Sequence, residues 1–367
     1  MNDKKIKILI YGMQNLKGGV ETYLYNFAKY CDYTKFSLTF LNTQKNGFMY
    51  EEELKKIGAS VVKVTPSSEN SKACEKELKK LMDEEKFDYF YINASSYNRF
   101  HFISGKVKPQ MTKLLLHCHA IIRKEDIHFK SRVSHFIGKF IFNNSKILRV
   151  ACGKDAGMYM FSNKPFEIFS NGIDVEKFKY NEEFRKEIRG EFGINDTDIV
   201  LGNIARLSKE KNHLFLLEVF SEILKLKPNS KLLLVGDGAE KDNIINKIKE
   251  MNIESKVILP GARSDAYKFY SALDGFVMPS IVEGFGISIA EAQANGLFCF
   301  GSDSLESATD LTGNVEYISL KKTAKEWAEI ILKKLKRDSK ALEKFSKEFK
   351  AEESYRKIFE YFEENLD

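Results

Sequence analysis

The feature that most constrains this chain is a recurring order of short apolar run, glycine-bearing turn and amphipathic stretch. Residues 6–11 (IKILIY) read as a buried strand, the turn GMQNLKGG follows, and VETYLYNFAKY has helical spacing. Further apolar runs lie near 36–41, 60–64, 88–93, 112–118 and 147–152, with helical patterns between them, and a short strand FEIF closes the series. A second series starts after residues 170–180: DIVLGNIARLSKEKN, the long amphipathic HLFLLEVFSEILKLK, KLLLVGDGAE, KVILPG, and FVM leading into ISIAEAQA. Strands that alternate with helices are joined by crossovers, which produce parallel sheets covered on both faces. Two doubly wound α/β units are therefore predicted. The segments 322–336 and 340–364 read as helices, and Trp327, Tyr355, Phe359, Tyr361 and Phe362 give them an apolar face for docking.

A chain of 367 residues is long enough for two cores. Its five cysteines are scattered, odd in number and without a C-x-x-C pair, as expected of reduced thiols in a cytoplasmic protein. The opening apolar run ILIYGM is too short for a signal segment, and no run reaches the ~20 apolar residues of a membrane span. The net charge of +6 is uneven. Residues 1–170 hold 28 Lys and Arg against 17 Asp and Glu, and the remainder 30 against 35. Most of the excess lies in 99–149, where basic residues alternate with phenylalanine and isoleucine. That stretch suits either a peripheral contact with an anionic membrane surface, on the inner face of the cell membrane, or a solvated basic face. No nucleic-acid-binding module is recognisable.

The chemistry concentrates in Pro279 to Gly296, PSIVEGFGISIAEAQANG. A strand feeds a loop bearing Glu283, Gly284 and Gly286, and the following helix carries Glu291. Glycines admit close approach to the backbone, and the helix start offers free N–H groups to an anion. Upstream, Arg206 and Lys211 stand at the end of a strand in the same series, where an anionic ligand is expected. In the first series, Gly18 and Gly19 precede a helix and read as an anion or sugar contact or as a plain tight turn. The strand LLLHCHA ends in His117 and His119. A metal there is disfavoured because no further ligand follows at suitable spacing. His119 is a candidate substrate contact, a quiet structural histidine being the alternative. There is no G-x-G-x-x-G, so an NAD-dependent oxidoreductase is the least favoured class.

With SNGID, ARLSKEKN, VGDGAE and PSIVEGFGISIAEAQANG in this order and spacing, the sequence resembles the family 4 retaining glycosyltransferases of GT-B fold, nearest the branch of bacterial exopolysaccharide and capsular polysaccharide synthesis. The resemblance implies two Rossmann-like domains facing across a cleft: an acceptor-binding domain at 1–172, a nucleotide-sugar-binding domain at 173–349, and a helix at 350–367 that crosses back to the first domain. It implies that Arg206 and Lys211 hold the donor diphosphate, that Glu283 meets the hydroxyls of the transferred sugar, and that Glu291 meets the ribose. His119 is implied near the reacting carbon, making His119, Arg206, Lys211 and Glu283 the catalytic set. The implied donor-binding set is Gly18, Gly19, Arg206, Lys211, Glu283, Gly284, Phe285, Gly286, Ile287 and Glu291. Ala205 and Ser170 depart from the family's usual glycine and proline. The expected activity is metal-independent transfer from a nucleotide-sugar, UDP by family habit, to a saccharide or lipid-linked acceptor, with no cofactor. No Asp-x-Asp stands in a loop suited to a metal. A GT-B epimerase or hydrolase and a non-catalytic nucleotide-sugar-binding subunit are the alternatives.

Overall fold

The computed structural model describes residues 4–15, 18–94, 112–119, 138–139, 147–283 and 285–366. The chain divides into two compact units, Met1–Gly172 with Ala351–Asp367, and Ile173–Lys350. Most of the basic 99–149 stretch lies outside the described residues, as does Gly284.

The first unit is built on β1 (Ile6–Tyr11), β2 (Phe36–Asn42), β3 (Ser60–Lys63), β4 (Tyr89–Asn93), β5 (Lys113–Cys118), β6 (Leu148–Ala151) and β7 (Glu167–Ile168). They form one sheet in the order β3-β2-β1-β4-β5-β6-β7, every pairing parallel. Helices α1 (Gly19–Lys29), α2 (Glu51–Lys56), α3 (Ser67–Glu85) and α4 (Lys154–Phe161) connect them. The central strands are buried nearly end to end, which is why they read as unbroken apolar runs and not as alternating ones.

The second unit begins with α5 (Val175–Phe178) and α6 (Glu182–Glu191). It continues through β8 (Ile199–Ile204), α7 (His213–Leu226), β9 (Ser230–Val235), α8 (Lys241–Glu250), β10 (Val257–Gly261) and α9 (Ala266–Ala272). Then come β11 (Gly275–Met278), α10 (Ile287–Ala294), β12 (Cys299–Ser302), β13 (Val315–Ile318), α11 (Ala324–Lys334) and α12 (Ala341–Lys344). Its parallel sheet runs β10-β9-β8-β11-β12-β13. In both sheets the strand order reverses beside the first strand, between β1 and β4 and between β8 and β11. Ligands of open α/β sheets bind outside the strand C-termini at such switch points.

The segment 340–364 differs from its reading as one helix. It breaks after α12, with Phe345, Ser346 and Lys350 extended, and resumes as α13 (Ala351–Glu364). Tertiary contacts override the local pattern here: Phe349 stacks on Phe285 at 5.0 Å, and Lys350 bridges Ile173. Helix α13 belongs to the first unit, where Tyr355, Ile358, Phe359 and Phe362 join the core of β1, β2 and α1. Their i, i+3, i+4, i+7 spacing puts all four on one face. Phe359 stacks on Phe27 at 4.4 Å, and the Tyr89 hydroxyl donates to the Phe362 carbonyl at 2.7 Å. In the second unit, Trp327 on α11 meets Phe215 of α7 edge-on at 5.6 Å and donates its indole N–H to the Ser319 carbonyl.

Candidate active site

In the second unit the switch point gathers the loops that follow β8 and β11. Arg206 lies just past β8 with an exposed side chain. Two glycines of the β9–α8 turn hold its loop. A Cβ on Gly236 would lie 1.9 Å from the Ala205 carbonyl oxygen, and one on Gly238 would lie 2.3 Å from that of Leu207. Hydrogen bonds from Leu207 N to Asp237 O at 3.0 Å and from Glu240 N to Leu207 O at 2.9 Å complete the contact. Only glycine allows two backbones to run this close.

Lys211 ends a single 3-10 turn, Lys209–Lys211, and the left-handed Asn212 then starts α7. The Lys211 ammonium donates to the Glu283 carboxylate, a contact spanning 72 residues of sequence, with both side chains less than a fifth exposed. Ser280 Oγ lies 3.5 Å from the same carboxylate oxygen. A backbone bond from Ile281 N to Glu210 O at 2.7 Å ties the two loops together. Burial pushes the Glu210 carboxyl up, but the Ser208 hydroxyl, its own backbone, Lys211 and Arg206 outweigh that and hold it below the usual range. Behind them, the Asn203 amide donates to the Val277 carbonyl at 2.7 Å and meets His213 Nε2 at 3.1 Å. Burial, reinforced by the Lys211 charge, lowers His213 to about 4, so its ring is neutral at ordinary pH.

Gly286 caps α10 with φ +72°, the left-handed region that favours glycine, and a Cβ there would press on Glu283 at 3.2 Å. Ile287 opens the helix, so its backbone N–H is among those without an intrahelical partner. Phe285 turns inward onto Phe349 and spends its ring on packing. Glu291, one turn into α10, accepts from the buried Tyr270 hydroxyl at 2.5 Å. Burial, then the Glu291 charge, holds the Tyr270 phenol well above its usual range. The Ser280 carbonyl accepts from Ser302 at 2.5 Å and Ser304 at 2.6 Å, which fixes the loop's entry.

Gly18, Gly19 and His119 belong to the first unit. Gly18 caps α1, and the buried Glu21 accepts from Gln14 N at 3.2 Å, closing the turn between β1 and α1. His119 directly follows β5; its Nε2 lies 2.7 Å from Asn93 Oδ1, and both residues are buried. His117 meets the Tyr91 hydroxyl at 2.6 Å, which in turn meets Tyr23 at 2.9 Å. Burial drives His117 well below its ordinary value, with His119 adding to the shift.

The structure thus brings Lys211, Glu283 and Gly286 together and supports Arg206 beside them. Glu291 stands on the helix that the same loop starts. The sequence reading gave no role to Asn203, His213, Tyr270 or Asn93, and quoted Ser280, Gly236 and Gly238 only inside longer motifs. The available signal was position, since most of these are polar residues or glycines at or just beyond strand C-termini. Among the described residues no cluster of three or more His, Cys, Asp or Glu could hold a metal ion, and no helix is long and apolar enough to cross a membrane.

Comparisons agree with this architecture. The family described as Glycosyl transferases group 1 matches residues 184–352. A Bacillus subtilis (strain 168) protein named as glycosyltransferase EpsF is 27% identical over 338 residues, 90% of this chain and 87% of its own. The Escherichia coli UDP-Gal:alpha-D-GlcNAc-diphosphoundecaprenol alpha-1,3-galactosyltransferase is 32% identical over 142 residues, 37% of this chain and 36% of its own. The crystal structure of Anabaena HepE in complex with UDP-glucose superposes with a TM-score of 0.80 at 20% identity, covering 98% of this chain and 99% of that one. The fold is that of the GT-B class, and the chain is an enzyme of the glycosyltransferase class.

Proposed function

We propose that the protein is a retaining, metal-independent glycosyltransferase that moves a sugar from a UDP-sugar to a lipid-linked saccharide in cell-surface polysaccharide synthesis. The observation that carries this reading is the half-buried Lys211–Glu283 pair at the switch point, with Arg206 and the open start of α10 in the same unit. HepE with its UDP-glucose and the galactosyltransferase with its diphosphoundecaprenol-linked acceptor support the choice of donor and acceptor class.

In this reading the second unit binds the donor and the first the acceptor. Arg206, Lys211 and the α10 N–H groups take the diphosphate, whose negative charge grows as the bond to the sugar breaks, so they stabilise the transition state more than the ground state. Glu283 holds hydroxyls of the transferred sugar and Glu291 those of the ribose. The first unit contributes His119, together with Gly18 and Gly19 of its glycine turn. The sugar–oxygen bond breaks with its electron pair going to the diphosphate. The acceptor hydroxyl bonds to the same face of the sugar, and its proton passes to the departing phosphate oxygen. The basic 99–149 stretch brings the enzyme to an anionic membrane surface on the cytoplasmic side, a role that liposome co-sedimentation tests directly.

The deciding experiment is sugar transfer by wild type, Lys211→Ala and Glu283→Ala, with UDP-, GDP- and ADP-sugars, each with and without EDTA. Transfer from a UDP-sugar with retained anomeric configuration, unaffected by EDTA and lost in both variants, is the expected result. Full activity in either variant, or loss of wild-type activity with EDTA, would sink the mechanism.

A further inference from the structure

Glu291 and Tyr270 make a contact that the proposed reaction uses only at one end. Tyr270 stands near the end of α9, wholly buried, with its ring edge-on to Phe178 at 5.6 Å and tilted against Phe276 at 5.9 Å. A phenol at that depth needs a partner for its hydroxyl, and a backbone carbonyl would suffice. Instead the hydroxyl donates at 2.5 Å to Oε2 of Glu291, a partly exposed residue 21 positions further along the chain. That length is usual for a hydroxyl donating to an ionised oxygen. Burial and the Glu291 charge hold the phenol well above its usual range, so Tyr270 keeps its proton and the carboxylate accepts.

The tyrosine's end of the contact is held firmly. Its backbone carbonyl accepts from Arg337 Nη2 at 3.4 Å, and Arg337 Nη1 donates to the Asn295 carbonyl at 2.7 Å. Asn295, which ends α10, donates its amide to Ser271 Oγ at 3.2 Å and to the Phe178 carbonyl at 2.7 Å. The helix that carries the tyrosine and the helix that carries the glutamate are thus pinned together at a second point, one turn beyond Glu291. A glutamate has several side-chain torsions, and freezing them when a ligand arrives costs affinity. A fixed hydroxyl on one carboxylate oxygen sets those torsions beforehand and orients the carboxylate plane.

We infer that Tyr270 is a positioning residue for the nucleotide: its hydroxyl fixes the Glu291 carboxylate to receive the vicinal hydroxyls of a ribose, which makes the site selective for ribonucleotides over deoxyribonucleotides. A carboxylate only accepts, so it favours a sugar that brings hydroxyl donors and gains nothing from one that lacks them. A deoxy ligand also covers the carboxylate without replacing the water it displaces. This rests on the reading of Glu291 as the ribose contact, and it adds what orients that residue and what the residue selects.

Calorimetric titration of the full chain with UDP and with 2′,3′-dideoxy-UDP tests it, in wild type, Tyr270→Phe and Glu291→Ala. Wild type should prefer UDP by roughly tenfold or more, the size of a hydrogen bond to a charged group. Glu291→Ala should erase that preference. Tyr270→Phe keeps the ring and its packing, and should lose most of the preference while binding the dideoxy nucleotide as wild type does. A merely structural hydroxyl predicts an unchanged preference, with both nucleotides weakened alike or not at all, and that result overturns the inference. Glu291→Asp leaves the core untouched, keeps the charge and draws the carboxylate back from Tyr270. It should show the same loss, and a full preference there overturns the inference even where Tyr270→Phe folds poorly. A preference absent from wild type, or surviving in Glu291→Ala, defeats the ribose reading itself. One lost in Glu291→Ala but kept in Tyr270→Phe defeats only the role of Tyr270.

Discussion

At the residue scale, the Lys211–Glu283 pair combines two demands that ordinarily conflict. Burying two charges costs solvation energy, which their attraction recovers only with good geometry and further hydrogen bonds. Here the pair is only half-buried, Ser280 Oγ lies 3.5 Å from the Glu283 carboxylate, and the Glu210–Ile281 backbone bond holds the two loops together. Replacing Lys211 with methionine leaves a half-buried carboxylate without its cation and removes one donor from the proposed diphosphate site. Transfer should fall by roughly 10²–10³ in kcat, the size seen when one charge-stabilising donor is lost. Steady-state kinetics with saturating donor would check this, and an unchanged kcat would exclude a transition-state role. The histidines make a second prediction. His213 and His119 titrate at about 4 and about 3 in the folded protein, against 6.5 for an ordinary imidazole. Between those values the unfolded chain binds protons that the folded chain refuses, so stability drops as pH falls below 6.5. Each histidine contributes a slope of at most about 1.4 kcal/mol per pH unit in that window. Urea unfolding at pH 6.5, 5.5 and 4.5 should show the decline, and His213→Asn should make it shallower.

At the element scale, the β9–α8 turn acts on Arg206 from a distance in sequence. Gly236 has φ +150° and no space for a Cβ, so Gly236→Ala must push the Ala205–Leu207 backbone away. Nucleotide affinity measured by calorimetry should weaken although Lys211 and Glu283 are untouched; unchanged affinity would detach Arg206 from the site. Helix α13 is a second case. Phe359 is buried against Phe27 and Phe36, and its truncation to alanine should cost about 3–5 kcal/mol. Chemical denaturation monitored by circular dichroism reads that loss. The strands and most helices were legible because their apolar spacing is a local property of the chain. The break at residues 345–350 was not: the stretch is rich in helix formers, and what stops the helix is Phe349 docking on Phe285, 64 residues earlier.

At the scale of the whole molecule, each unit has a core of its own. In the second unit a large apolar cluster is drawn from residues between Leu201 and Leu335, all within 173–350. A fragment of residues 173–350 should therefore fold alone and, if the donor site is as proposed, bind UDP with an affinity near that of the full chain. Its circular dichroism and calorimetry decide the matter, and an unfolded fragment would mean that the second core depends on the first. Removing 351–367 should do the opposite, stripping Tyr355, Ile358, Phe359 and Phe362 from the first core.

By itself the sequence determined the α/β class, the residue types at the strand ends, and the acids, cations and glycines from which a donor site is proposed. Each of these is written in local spacing, with a period of two or 3.6 residues or a glycine where the backbone must turn or pass closely. Only the tertiary structure decided the partnerships: Lys211 with Glu283, Asn203 with Val277, Asn93 with His119, Tyr270 with Glu291, and α13 with the first core. A side chain's hydrogen-bond partner depends on which strand ends the sheet order places side by side. No local periodicity records that order, because crossovers of differing length can join the same strands in more than one arrangement.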